Sequence, residues 1–408
     1  MSPPGGRRTF QSLHTRNYRL FFFGQLVSNT GNWLTNIALT LLVLHLTNRG
    51  LPVGALSAAQ YGPILLLSPW AGAIADRSDK RHLLFVTQSL EMAQSVALAV
   101  LAFMRHPPLV ALFAAATAGG ILLAFDNPLR RSFVGEMVPG EDLPNAVALY
   151  SALVNISRMF GPALAGLLVV TVGFGWCFTI DALSYLVVLA ALGLMRPAEL
   201  HRAPPVPREQ GAVRAGLRYL GRTPNLRIAF VMLAFVGVLS YNMNVQLPLF
   251  VEQALHRGDA AFTIMYAAYS AGGLVSALLV ARRSMVRLQH VVIGALALGA
   301  TLLTLGTAPN IGVGLPLAFL TGVASIVYTT STTAIVQLEA EPSMHGRLLA
   351  LQTVCMVGSG LIGGPFVGAV ADALGARAPL VVGGAAALAA GAWGAMAARR
   401  ARMPAGEG

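Results

Sequence analysis

The sequence predicts an all-α membrane protein with twelve transmembrane helices in two pseudo-symmetric six-helix bundles. Composition, the spacing of apolar runs and an internal repeat carry that expectation. Of 408 residues, 55% are hydrophobic and 11% charged, whereas a soluble chain carries about 25% charged residues. A helix needs roughly 20 apolar residues to cross a bilayer. Twelve such runs occur, at about 20–46, 52–75, 83–104, 108–127, 145–171, 174–195, 226–251, 260–281, 288–307, 311–333, 347–372 and 378–398. Most contain Gly or Pro, which transmembrane helices tolerate where neighbours satisfy the backbone. The one long connection, residues 196–225, is rich in Pro and Arg. It predicts an N-terminal bundle over 1–195, a cytoplasmic linker over 196–225 and a C-terminal bundle over 226–408.

The two halves repeat. Glu136 and Pro139 precede Glu339 and Pro342 by 203 residues, and Gly161–Pro162 precedes Gly364–Pro365 by the same offset, in similar contexts (GPALAGLL and GPFVGAVA). ADRSDKR at 75–81 aligns with ARRSMVR at 281–287 at an offset of 206, which sets Asp76 opposite Arg282. Several anchors in one order, at nearly half the chain length, mark a parallel repeat of two related units.

Taken in chain order, the helices carry polar residues that hydrocarbon does not accommodate. The first has Gln25, Asn29, Asn32 and Asn36 at spacings of four, three and four, which places four amides on one stripe. Unpartnered amides in lipid are costly, so the stripe either bonds neighbouring helices or lines a water-filled substrate cavity. Between the second and third helices, Gly72 to Arg81 (GAIADRSDKR) places Asp76 at a helix end and follows it with Arg77, Lys80 and Arg81. Glu91 lies about 14 Å into the third helix and shares a face with Gln88 and Ser95. The fourth helix ends in FDNPLRR, with Asp126 and Arg130. Arg158 is near the middle of the fifth, just before Gly161–Pro162, and Asp181 is in the sixth. The seventh carries Tyr241, Asn242, Asn244 and Gln246. In the tenth, Tyr328 opens a hydroxyl run from Thr329 to Thr333, and the eleventh holds Gly364–Pro365.

Ionisable residues at membrane depth are functional candidates by default. Glu91 is the first candidate to take up a proton and Asp181 the second. Each is otherwise a carboxylate tied to polar neighbours. Arg158 is a candidate to balance either of them. None of the eight histidines lies at mid-membrane, which argues against a histidine relay.

Charge sets the orientation. The net charge is +12, and with a cytoplasmic N-terminus 23 of the 28 lysines and arginines fall in cytoplasmic segments. The opposite orientation breaks the positive-inside bias in nearly every loop. Both termini are therefore expected in the cytoplasm, and the basic balance reads as topology rather than nucleic-acid binding. Cys177 and Cys355 have no metal or redox spacing, and no cofactor or metal is expected. A cleavable signal pattern is absent.

The loop Gly72–Arg81 resembles the G-x-x-x-D-R-x-G-R-R signature of the major facilitator superfamily, with Asp79 where that pattern has its second glycine. FQSLHTRNYRLFFFGQLVSNTGNWL, AFDNPLRRSFVGEMV, SRMFGPALAGLL and FTIDALSYL resemble the bacterial twelve-helix branch with macrolide-efflux proteins and enterobactin exporters. The resemblance implies a cavity lined by the first, fourth, seventh and tenth helices, here Gln25, Asn29, Asn32, Asn36, Tyr241, Asn242, Gln246 and Tyr328. It also implies a cytoplasmic gate from Gly72, Asp76, Arg77, Arg81, Asp126 and Arg130, and helix packing through the two Gly-Pro pairs. Some related antiporters have an acid in the first helix where this chain has Asn32.

No G-x-x-x-x-G-K-[ST] loop is present, so a primary pump is not indicated. HExxH, GxSxG and metal-spaced clusters are absent, which argues against a polytopic enzyme, and no attached output domain suggests a sensor. The expected function is secondary active transport. Its first form is proton-coupled export of small amphipathic, antibiotic-like or siderophore-like compounds across a bacterial inner membrane, by a functional monomer. Uptake or facilitated diffusion of a small metabolite is the alternative.

Overall fold

The computed structural model describes residues 10–201, 212–280, 287–341 and 344–402. The Asp76 side chain, Arg282 and Pro342 lie outside the described residues. Fourteen helices occur among those described, and no strand. They are α1 (Arg16–Thr47), α2 (Gly50–Arg77), α3 (Lys80–Phe103), α4 (Leu109–Met137), α5 (Leu143–Val172), α6 (Phe174–Leu194), α7 (Ala212–Arg222), α8 (Pro224–Ser240), α9 (Met243–Leu249), α10 (Asp259–Val280), α11 (Leu288–Gly306), α12 (Ile311–Glu339), α13 (His345–Leu374) and α14 (Ala378–Arg402). Among the described residues, eleven spans are long and apolar enough to cross a membrane. The 32-residue α1 is long enough as well, but its amides keep it out of that set.

The chain divides into two compact units, Met1–Leu39 with Leu66–Pro207 and Thr40–Leu65 with Arg208–Gly408. The later boundary falls inside the Pro- and Arg-rich linker. The transfer of residues 40–65 to the second unit has no signature in the apolar pattern, because glycine makes its contacts. A Cβ on Gly54 would lie 2.6 Å from the carbonyl carbon of Gly364, and one on Gly364 would lie 2.7 Å from the Gly54 oxygen. Helix backbones this close admit no side chain between them.

Helix packing reflects the sequence repeat. In the first unit α3 packs on α6 and α4; in the second, α11 packs on α14 and α12. Two elements depart from the expected spans. Helix α4 runs ten residues beyond 127, to Met137, with Pro128 inside it. Arg130 and Asp126 therefore lie within a helix, 2% and 0% exposed, and Arg130 leaves the set of cytoplasmic loop charges. N-P normally favours a turn, but here the charges that would seek water are paired within the bundle. The expected seventh helix is discontinuous. Helix α8 ends at Ser240, and α9 starts at Met243 and passes into a π-helical turn, Phe250–Ala254. The Asn242 side chain turns back at this break and donates to the Val238 carbonyl at 2.9 Å, competing with the helix ladder as asparagine does.

Candidate functional site

The first unit contains a buried polar network built from α1, α3, α4 and α6. Arg130 is its centre. Its guanidinium pairs with Asp126, one turn earlier on α4, through Nε. Nη2 donates to Glu91 Oε2 at 3.2 Å, and Nη1 donates to Asn29 Oδ1 at 3.2 Å. Gln88 Nε2 donates to both Glu91 Oε2 (3.1 Å) and Asp126 Oδ1 (2.8 Å), and Thr87 adds a hydroxyl to Asp126 at 3.0 Å. Asn29 Nδ2 completes the chain by donating to the Gln25 side chain at 3.2 Å. Burying such a cation requires this degree of pairing, since an isolated one is far more costly. Glu91 Oε1 is buried and has no hydrogen-bond partner among the described residues.

Asp181 on α6 is a second node. Thr35 from α1 and Ser95 from α3 each donate to Oδ2 at 2.7 Å. Gly31 makes room for it, because a Cβ there would lie 2.7 Å from Ser184 Oγ and closer still to the Asp181 carboxylate. Ser95 is one turn beyond Glu91, so α3 presents both nodes on one face.

Arg158 joins neither. It is exposed, with its guanidinium 5.5 Å from the centre of the Trp33 ring, a cation–π distance. The cation that balances Glu91 is Arg130. Distance along the sequence does not reveal such a pair, 39 residues apart. The available signal was an arginine four residues after an aspartate on one helical face.

The amides divide by use. Gln25 and Asn29 serve the Arg130 network, and Asn32 and Asn36 are half-buried. In the second unit, Gln246 Nε2 donates to the Pro379 carbonyl at 3.4 Å, and Ser240 beside the break donates to Gly383 at 2.6 Å. Asn242 and Gln246 thus both bond backbone, Asn242 on its own segment and Gln246 across to α14. Tyr241 is half-buried. Tyr328 is 1% exposed, and its hydroxyl has no hydrogen-bond partner among the described residues.

The loop after α2 is held by helix ends. Asp79 is the N-cap of α3 and accepts from the His82 amide at 3.0 Å, so the residue that departs from the signature glycine acts as a cap. Arg81 Nε donates to the Leu192 carbonyl at 2.9 Å, where the end of α6 is negative. Lys80 forms a buried pair with Glu136, a residue singled out by the repeat. Its counterpart Glu339 accepts from Asn225 at 3.1 Å instead. Gly72 is half-buried and Arg77 exposed. Gly161–Pro162 lies inside α5, where Gly161 meets Trp33 of α1; Gly364–Pro365 lies inside α13, where Gly364 meets α2.

At the α1–α2 corner of the second unit, Asp372 of α13 accepts from the Gly50 and Leu51 amides at 2.6 and 2.9 Å, capping α2 from a distant part of the chain. His45 Nε2 faces two carboxylates, Asp259 at 3.1 Å and Glu252 at 3.4 Å.

Comparison with known proteins supplies the frame for these features. The sequence pattern of a family described as transmembrane secretion effector matches residues 7–408. The multidrug efflux pump Tap of Mycolicibacterium fortuitum is 26% identical over 372 residues, 88% of this chain and 90% of that protein. The staphyloferrin A transporter of Staphylococcus aureus is 26% identical over 261 residues, 64% of this chain and 66% of the transporter. The enterobactin exporter EntS of Shigella boydii is 23% identical over 86% of this chain and 84% of its own. Among solved structures, the POT family transporter PepTSo superposes with a TM-score of 0.76 at 13% identity, covering 95% of this chain and 98% of its own. A bacterial homologue of the human lysosomal transporter Spinster gives 0.75 at 14% identity, covering 98% of this chain and all of the other. At these identities the structures establish the fold.

Proposed function

We propose that this chain, which belongs to the transmembrane secretion effector family and is a secondary transporter of the major facilitator type, exports small amphipathic compounds in exchange for protons. The observation that carries this reading is the charge balance of the buried network. Glu91, Asp126 and Asp181 supply three carboxylates, and among the described residues Arg130 is the one cation bonded to them. When all are ionised, two negative charges lack compensation in a medium that penalises buried charge. Proton uptake reduces that excess, and a group whose charge changes within the bundle biases one conformation against another.

Glu91 is the assigned proton-coupling residue, because it is buried and contacts Arg130. Asp181, held by the hydroxyls of Thr35, Ser95 and Ser184, is the second. Asn32 and Asn36 of the first unit, and Tyr241 and Tyr328 of the second, are each assigned to substrate contact within their own unit. A lining of amides, hydroxyls and aromatic rings suits bulky amphipathic solutes better than a small charged nutrient. The names of the efflux and siderophore relatives support the same class of cargo. The arginine distribution supports a bacterial inner membrane location with both termini in the cytoplasm.

The test is transport in everted vesicles with an imposed pH gradient and a panel of macrolide-like and siderophore compounds. Accumulation should collapse with the proton gradient, and Glu91→Gln should abolish gradient-driven accumulation while the protein stays folded. Accumulation indifferent to the gradient removes the coupling claim. A fully active Glu91→Gln variant removes the residue assignment alone.

A further inference from the structure

The geometry points to a binding site for a divalent transition-metal ion of the zinc class at His45, Glu252 and Asp259. Three elements of the second unit bring these residues together: the last turn of α1, the π-helical turn after α9, and the first residue of α10. Each offers one ligand atom, and the three atoms lie within 4.8 Å of one another. His45 Nε2 is 3.1 Å from Asp259 Oδ1 and 3.4 Å from Glu252 Oε1. In a tetrahedral site with ligands about 2.0–2.1 Å from zinc, neighbouring ligand atoms are about 3.3 Å apart. Both measured separations are close to that spacing.

Satisfaction of the oxygens supports the same conclusion. Glu252 Oε1 and Asp259 Oδ1 are buried, and the ion-pair partner that both have among the described residues is His45. Both face the same imidazole nitrogen, which carries at most one proton. A cation between the three atoms would satisfy both oxygens and the nitrogen together. One imidazole and two carboxylates form a donor set that zinc-class ions accept, and two carboxylates neutralise a dication. A cleft of about 400 Å³ includes Glu252 in its lining, with Asn48, Gln253, His256 and Asp372. It opens the Glu252 side of the cluster to solvent. The backbone beside the ligands is already tied, because Gln253 donates to the Asn48 carbonyl at 3.1 Å. Single π-helical turns such as the one carrying Glu252 occur frequently at functional sites. The assignment is independent of how transport is coupled. A protonated imidazole shared by two carboxylates is the competing reading.

Zinc titration of tag-free full-length protein in detergent, in competition with a chromophoric chelator, decides between them. One zinc per chain is expected, and cobalt should give the visible absorption of a four-coordinate site. His45→Ala, Glu252→Gln and Asp259→Asn should each weaken binding at least about tenfold, with His106→Ala unchanged. Zinc should raise the melting temperature of the wild type but not of Glu252→Gln, a near-isosteric change that guards against misfolding of the alanine variant. Absence of stoichiometric binding overturns the site, as does undiminished binding in a folded Glu252→Gln or His45→Ala protein.

Discussion

The two units repeat one helical skeleton but hold it together by different physics. In the first, ionised side chains occupy the interior: Arg130 with Asp126 and Glu91, Lys80 with Glu136, and Asp181 among hydroxyls. In the second, backbones approach one another through glycine. A Cβ on Gly272 would lie 2.8 Å from the Phe319 carbonyl carbon, and one on Gly322 would lie 2.8 Å from that of Tyr269. Gly299 and Gly384 form a similar reciprocal pair across α11 and α14. Paired charge fills the interior of the first unit, and close backbone packing that of the second. The packing scheme is shared while the interior chemistry differs.

The largest expected effect tests that division directly. Arg130→Met leaves two carboxylates buried without their cation and should cost about 3–5 kcal/mol, read as thermal unfolding in detergent. Arg158→Met, at an exposed cation–π contact, should cost under about 1 kcal/mol. Equal losses would erase the distinction between the two arginines. Gly54→Leu should come next, at about 1–3 kcal/mol for overpacking against Gly364, whereas Gly193→Leu, with nothing within 4 Å of its Cβ position, should be close to neutral. A second unit that tolerates Gly54→Leu would not be backbone-packed in the sense argued above. The smallest effect concerns the α2–α3 loop. Asp79→Ala should cost about 1 kcal/mol as a lost N-cap, and Asp79→Gly only a few tenths. That ordering would explain why the signature position accepts either glycine or this aspartate.

Much of the architecture was legible because a bilayer imposes length and hydropathy on each helix. The repeat anchors found the paired halves, and spacing alone put Gln88 beside Glu91. Other features depended on inter-helix distance. Ser95, on the Glu91 face in the sequence, gives its hydroxyl to Asp181 of α6. Arg158 looked suited to balance a carboxylate but faces Trp33, while Arg130, placed at a helix end by an apolar run that stops at 127, is central. Apolar periodicity also could not show the break at Tyr241–Asn242, since both sides of it are hydrophobic. The gate reading of Asp76 rests on sequence alone.

The cap on α2 has a consequence for biogenesis. The amides of Gly50 and Leu51 find their acceptor in Asp372, 322 and 321 residues later. At translation rates of about 5–20 residues per second, the acceptor emerges on the order of tens of seconds after the donors. Until then the first turn of α2 has orphan N–H groups, and the glycine faces of Gly50 and Gly54 lack the α13 backbone they meet in the finished protein. This corner therefore closes only after nearly the whole chain has been made, and a chain truncated before α13 would carry an open seam for quality-control proteases to recognise.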